Sequence, residues 1–416
     1  MTTLRVRLVY LADIRFPLER ANGIQTMATC HALAERGHDV ELIVRPDTEA
    51  PPRDPFAYYG LARLERFRIE RAPVSGPAAA RRLGYLAFAA GRTAGRARAD
   101  LIFTRDLGVA SLLLRVPRAL RPPVVYESHG YAPDVAAALP GLVATARTPS
   151  AGKLRRLERR EAHVWRAADG YVTITAALAA DLEARHGRRE RVAVIPDGVR
   201  LRAQTQGLGL PAEALRVPSA KVGTGDSGEG AVVAYAGHLY AWKGVDVLLE
   251  ALALVPAARG LIVGGHAAEP DLGRLRALAE RLGIGARVTF TGMVVPARVP
   301  EFLRSATILA LPNPASAISS RFTSPLKLFE YMAAGRAIVA SDLPAVREIL
   351  QDDVDALLVA PGDAAALGAA IARLIADPGL ASRLAGRAAE RAPQYTWDRR
   401  AERLEALFLD VMRSCR

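Results

Sequence analysis

At 416 residues, half of them hydrophobic and 24% charged, the chain has the length of two or three globular domains and a balance that excludes a disordered or fibrous protein. Its net charge of +13 sits in the first half: residues 1–200 hold 32 Lys/Arg against 21 Asp/Glu, and residues 201–416 hold 24 against 22, an asymmetry that suits an anionic partner or a merely basic solvent face. The uncharged stretch 305–320 is shorter than the ~20 apolar residues of a membrane span and contains Pro312 and Pro314, while Arg5, Arg7 and Asp13 interrupt the first apolar run as no signal peptide would.

The first half alternates short β-branched runs with Ala- and Leu-rich periodic stretches. LRVRLVYLA (4–12), DVELIV (39–44), ADLIFT (99–104), PVVYES (123–128), GYVTIT (170–175) and RVAVIP (191–196) are expected as strands separated by helices, the rhythm of a parallel sheet covered on both faces. After the first strand, Asn22-Gly23 gives a side-chain-poor turn directly before a helix. Backbone N–H groups there can be offered to a phosphate or sugar, although a glycine also suits the turn for geometric reasons alone, and no GxGxxG fingerprint accompanies it. Cys30 falls inside that helix and Cys415 next to the last residue, which excludes a disulfide framework and fits a reducing compartment.

The segment 78–99 is expected as a helix carrying Arg81, Arg82, Arg92, Arg96 and Arg98 beside Leu83, Tyr85, Leu86 and Phe88. It is suited either to rest on an anionic membrane or to pack with a basic outer face. His129, in YESHGY, follows the C-terminal end of a strand, the edge where ligands of α/β sheets collect.

Between 201 and 230 the periodicity fails in a Gly-, Ser- and Pro-rich linker. The rhythm restarts with AVVAYAG (231–237), RGLIVGG (259–265), RVTFTG (287–292), TILALP (307–312), AIVAS (337–341) and ALLVAP (356–361). The domains are therefore expected at 1–200 and 231–395, and 396–416 forms a helix with Leu404, Leu407, Phe408 and Val411 on one face. Lys243-Gly244 lies at a loop-to-helix junction, where an ammonium can reach a diphosphate or simply face solvent.

In SPLKLFEYM (324–332), Thr323 or Ser324 can cap a helix, Pro325 suits its first position and Lys327 falls in its first turn. A lysine there opposes the helix dipole unless an anion binds at that end. Glu330 can accept hydrogen bonds from a ribose, or form an ion pair with Lys327; Leu326, Leu328, Phe329 and Met332 are core. No metal-ligand spacing, nucleophile elbow, phosphate loop or helix-turn-helix is present, so no metal, no cofactor and no nucleic acid are expected.

Taken together, FPLERANGIQTMATCHALAERGHDVELIV, YESHGY, VAVIPDGV, YAGHLYAWKGVDVLLEAL, RVTFTGMVVPARVPEFLRSATILALP, SPLKLFEYMAAGRAIVASDLPAVREIL and ALLVAPGD resemble the family-4 retaining glycosyltransferases across nearly the whole chain. The resemblance implies two tandem doubly wound Rossmann-like domains facing a cleft, the GT-B fold, with the C-terminal helix crossing back to the first. It implies that Gly23 lies beside the donor diphosphate, His129 touches the transferred sugar, Lys243 neutralises the leaving group, backbone near Met293 and Val294 holds the base, and Glu330 binds the ribose. The donor set is completed by Gly237, His238, Ser324, Leu326 and Lys327.

Two departures stand out. His238 follows Gly237 where the family often has an arginine, which makes Arg321 a candidate substitute, and Phe322 stands where the family commonly has a first glutamate. The activity implied is metal-independent sugar transfer with retention, from a UDP- or GDP-sugar to a saccharide or lipid-linked acceptor in cell-surface polysaccharide or glycolipid assembly. The same architecture also serves nucleotide-sugar epimerases and hydrolases, and a degenerate nucleotide-sugar-binding scaffold is a further alternative. The expected location is the cytoplasm, with an anionic inner membrane face as a peripheral partner.

Overall fold

Both halves turn their alternating runs into parallel strands. The structure, a computed structural model, describes residues 5–94, 99–142, 146–201, 230–266, 270–316, 319 and 326–415. The chain divides into two units, one comprising 1–137, 149–198 and 397–416, the other 138–148 and 199–396. The expected linker lies, apart from its end residues, outside the described residues.

The first unit is built on seven strands: β1 (Arg7–Arg15), β2 (Asp39–Arg45), β3 (Phe67–Arg71), β4 (Leu101–Thr104), β5 (Val124–Ser128), β6 (Gly170–Thr173) and β7 (Val192–Val194). Their order is β3-β2-β1-β4-β5-β6-β7, all parallel, so the direction of winding reverses between β1 and β4. Buried aliphatic and aromatic side chains of β1, β4 and β5 hold the centre, with Tyr10 and Phe103 edge to face at 5.0 Å. Six of these strands coincide with the expected runs within a few residues. The seventh, FRIER at β3, has no such signal: it is the sheet's edge, and three of its five residues are charged, as suits an edge that must not pair with another chain.

Helix Ala78–Thr93 is shorter than expected, and its basic face turns partly inward. Arg82 pairs with Asp13 and Asp106, Arg92 bridges Glu41 and Glu70, and buried Tyr85 donates to the Ile43 carbonyl at 2.9 Å. Leu83 is 69% exposed, whereas Arg96 and Arg98 lie outside the described residues. The C-terminal helix Trp397–Arg413 belongs to this unit. It buries Leu404, Leu407, Phe408 and Val411 as its period requires, and Phe408 meets Phe103 at 5.3 Å.

The second unit contains β8 (Ala231–Ala236), β9 (Ala258–Val263), β10 (Val288–Gly292), β11 (Ile308–Leu311), β12 (Ala337–Ser341) and β13 (Leu357–Val359). The order β10-β9-β8-β11-β12-β13 is again parallel and reverses between β8 and β11. A doubly wound sheet binds ligands at the carboxyl ends of the strands flanking that reversal, because the connections diverge to opposite faces and leave a crevice. Among the described residues no single helix is long and apolar enough to cross a bilayer; the pair Ala364–Ala376 and Pro378–Tyr395 passes that test only together, across a 103° bend.

Candidate functional site

In the second unit the candidate residues gather where the sheet reverses. The chain leaves β8 through Gly237-His238 and a short turn, Ala241–Lys243, before helix Val245–Ala253 begins at Gly244. Gly244 is required there: its φ is +73°, and a Cβ would stand 1.9 Å from the Pro312 carbonyl oxygen, on the chain leaving β11. Buried Asn313 donates to the Trp242 carbonyl at 3.4 Å, so the exits of β8 and β11 are pinned together. His238, Tyr240 and Trp242 stack along the turn, with ring separations of 5.2 and 6.4 Å, and the Lys243 ammonium sits 3.8 Å over the Trp242 ring.

Helix Leu326–Ala334 follows β11 and carries Lys327 and Glu330. It is seated by Tyr331, whose hydroxyl accepts from the Ala236 amide at 2.9 Å and donates to the Ala310 carbonyl at 3.4 Å, spanning the ends of β8 and β11. Lys327 donates to Glu330 at 2.6 Å, the local ion pair that the sequence allows. The ribose role of Glu330 is compatible with that pair, since one carboxylate oxygen remains.

Lys243 has no carboxylate partner among the described residues. Its ammonium is pushed down to about 8, first by burial and then by the positive charge of Lys327. Two cations that repel one another at the end of a sheet, with a carboxylate paired to Lys327 alone, form a site short of negative charge. A diphosphate would supply it. Leu326 is buried, as core; Met293 is exposed and Val294 half-buried, both just past the end of β10. Gly237 donates its amide to the Val263 carbonyl at 2.9 Å. Arg321, Phe322, Thr323, Ser324 and Pro325 lie outside the described residues.

In the first unit the reversal between β1 and β4 collects a second group. Gly23 lies in the first turn of helix Ala21–Glu35, and a Cβ on it would meet the Leu18 carbonyl at 2.3 Å and the Tyr59 hydroxyl at 2.4 Å. The chain's own packing therefore demands glycine at this position, whatever else binds there. His129 follows β5 and its Nε2 contacts Glu127 Oε1. Glu127 is fully buried; burial alone would raise its pKa, but Arg400, His129 and Arg105 outweigh it and hold the carboxyl at about 2. Burial and then Arg105 push His129 below its ordinary value, against the pull of Glu127. Burial thus favours the neutral imidazole over the imidazolium.

Gln25 joins the group, donating to Glu127 at 2.6 Å and accepting from Arg105 at 2.9 Å. Buried Asp197, raised by burial, completes the charged groups facing His129. Glu127, Gln25, Arg105 and Arg400 are not among the residues expected from the sequence. The available signal is Glu127 two residues before His129 on one face of a strand whose other residues are apolar or small. Among the described residues no three His, Cys, Asp or Glu side chains are grouped to hold a metal ion.

Residues 23–203 match the family model described as Glycosyltransferase Family 4, and residues 230–377 match the one described as Glycosyl transferases group 1. The D-inositol 3-phosphate glycosyltransferase of Acidothermus cellulolyticus is 32% identical over 265 residues, covering 61% of this chain and 55% of that protein. The enzyme of the same name from Xylanimonas cellulosilytica is 31% identical over 254 residues, covering 60% and 58%. The chain thus spans about half the length of the curated relatives it matches. Among solved structures, sucrose-phosphate synthase from Thermosynechococcus elongatus superposes with a TM-score of 0.74 at 21% identity, over 98% of this chain and 100% of that one. Anabaena HepE in complex with UDP gives 0.70 at 16%, over 97% and 100%. The shared fold is the two-domain GT-B architecture.

Proposed function

We propose that the chain, whose two halves match the Glycosyltransferase Family 4 and Glycosyl transferases group 1 models, is a glycosyltransferase that moves a sugar from a nucleoside diphosphate sugar to an acceptor hydroxyl, with retention and without metal. The observation that carries this reading is the placement of Lys243 and Lys327 on the connections that follow β8 and β11, the two strands flanking the reversal, with no carboxylate for Lys243 among the described residues. A diphosphate placed there receives two ammonium groups and the positive end of helix Leu326–Ala334.

As the bond from the anomeric carbon to the phosphate oxygen breaks, these fixed charges stabilise the oxyanion that departs, the electrostatic task that a metal performs in other transferases. The acceptor oxygen bonds to the same face of the anomeric carbon, and its proton passes to the departing diphosphate oxygen. Glu330 receives the ribose hydroxyls, backbone at Met293 and Val294 holds the base, Gly237 and His238 line the diphosphate, and His129 accepts a hydrogen bond from a hydroxyl of the transferred sugar.

UDP is the favoured nucleotide, since structurally similar HepE is in complex with it. The acceptor is a saccharide, a sugar phosphate-like polyol or a lipid-linked sugar; the excess of positive charge in residues 1–200 favours an anionic one. Thermal shift with UDP-, GDP- and ADP-sugars tests the reading, because a ligand that binds only the folded state raises its melting temperature. One of the three should stabilise the wild type and leave Lys243→Ala unmoved. No shift with any of them refutes the assignment.

A further inference from the structure

We propose that Arg400, on the C-terminal helix, is a positioning residue for His129, acting through Glu127 to fix which imidazole nitrogen carries the proton. This purpose rests on the transfer reading above; the relay itself is a property of the folded chain and is read without substrate.

Arg400 is 2% exposed, an unusual place for a guanidinium on an otherwise amphipathic surface helix. Its Nη2 donates to Glu127 Oε2 at 2.5 Å, its Nε to the Thr29 hydroxyl at 3.1 Å, and its Nη1 to the Ile195 and Pro196 carbonyls at 2.8 and 2.9 Å. One side chain thereby ties the C-terminal helix to helix Ala21–Glu35, to β5 and to the segment following β7. A guanidinium so buried requires an opposite charge, and burying the charge pair is not by itself a gain in stability; what points beyond structure is that this carboxylate also faces His129.

The other oxygen of Glu127 accepts from Gln25 and faces His129 Nε2. An ionised carboxylate can only accept, so Nε2 must carry the proton and Nδ1 is left as an acceptor. That is the form a sugar hydroxyl needs if His129 is to take a hydrogen bond from it. Arg400 is what keeps the acid ionised and aimed in a fully buried place. Without it, Glu127 would take up a proton or would draw one onto His129, and in either case the neutral imidazole with a bare Nδ1 is lost. Besides Glu127, the charged groups acting on His129 are Arg105 and Asp197; buried Cys30 and Tyr10 also feel the Glu127 charge.

The experiment is nitrogen-15 spectroscopy of the His129 side chain in the full chain, across pH 6 to 8, without ligand. Wild type and Arg400→Lys should carry the proton of the neutral ring on Nε2 and titrate below the ordinary imidazole value. Arg400→Met should titrate within that window or mix tautomers. Glu127→Gln, nearly isosteric and independent of whether Arg400→Met folds, should shift the proton towards Nδ1 because its amide can donate to Nε2. With UDP-glucose as donor probe, each of these two variants should lose at least tenfold in turnover and keep the wild-type KM within about twofold. If both variants retain the wild-type tautomer and titration, the relay is wrong even where donor binding is confirmed; if the tautomer moves but no nucleotide sugar binds, the relay stands and the transfer reading fails.

Discussion

Lys243→Met separates function from stability in opposite directions. The Lys243 ammonium is held at about 8 against an ordinary 10.5, a difference arising first from burial and then from repulsion by Lys327. At ~1.4 kcal/mol per tenfold change in proton affinity this amounts to at most ~3 kcal/mol set against the fold, and residual hydration of the side chain makes about 1–3 kcal/mol the expected figure. Methionine keeps the unbranched stem and a favourable contact with the Trp242 ring while discarding the charge. The empty variant should therefore melt higher than wild type at pH 7, by roughly 2–10 °C in the transition of the second unit.

The sign with pH follows from linkage. A lysine whose folded pKa is depressed costs stability in full below that pKa, and the cost fades as pH rises towards 10.5. The variant's advantage should accordingly be largest at or below pH 7 and vanish near pH 10.5. Saturating UDP reverses the ranking: at about 100 times its Kd a ligand adds ~2.7 kcal/mol to the wild type, and it should add nothing to the variant. Calorimetry at pH 7 and 9.5, with and without UDP, reads all of this. A variant that melts at or below the wild-type temperature, or that keeps its gain from UDP, refutes the assignment of Lys243 as an uncompensated cation awaiting a diphosphate.

Glu330→Ala should raise the donor KM by about 10–100-fold, the loss of charged hydrogen bonds to a ribose, with little change in kcat in steady-state assays. Gly244→Ala places a Cβ 1.9 Å from the Pro312 oxygen at a φ of +73° and should abolish the UDP-dependent thermal shift, whereas Gly273→Ala, in a helix with nothing within 4 Å, should keep it and melt no lower. Glu161→Gln should stabilise the first unit at pH 8.5 by about 1–3 kcal/mol and do nothing at pH 4.5. Burial raises the Glu161 carboxyl to about 7, with Oε1 accepting from the Ala132 amide at 2.9 Å and Oε2 without a partner among the described residues, so its cost is present above that value and absent below 4.5. Equal melting curves for Glu161→Gln and wild type at pH 8.5 would contradict this.

The doubly wound pattern was legible because parallel strands buried on both faces are short continuous apolar runs, as the central strands β1, β4, β5, β11 and β12 are. β3 was not, since an edge strand substitutes charge for apolarity. The lysine pair was legible one residue at a time, through the position of each at a strand-to-helix junction; that the two junctions meet is a consequence of strand order, which local pattern does not contain. Arg400 and Glu405 illustrate the limit. On a helix with a clean Leu404, Leu407, Phe408 and Val411 stripe, charged residues read as solvent-facing, yet Arg400 and Glu405 are buried because that helix docks on Glu127 and Arg36, nearly 300 or more residues earlier. The basic face of helix Ala78–Thr93 misleads in the same way, since Arg82 and Arg92 find their acids on strands distant in sequence.

Composition holds one more clue, visible only when joined to topology. Of the 56 Lys and Arg residues just four are lysines, at positions 153, 221, 243 and 327. In so arginine-biased a chain a basic residue with no specific task is overwhelmingly an arginine, yet two of the four lysines meet where the second sheet reverses. Arginine is a poor substitute at such a place. Its planar fork suits a carboxylate or phosphate in one fixed orientation, whereas an ammonium is a compact point charge on a flexible stem, with three donors that can turn to a diphosphate. At about 8 the Lys243 ammonium still holds its proton at pH 7, so the empty site carries the cost of an uncompensated cation, and a diphosphate that arrives there removes it.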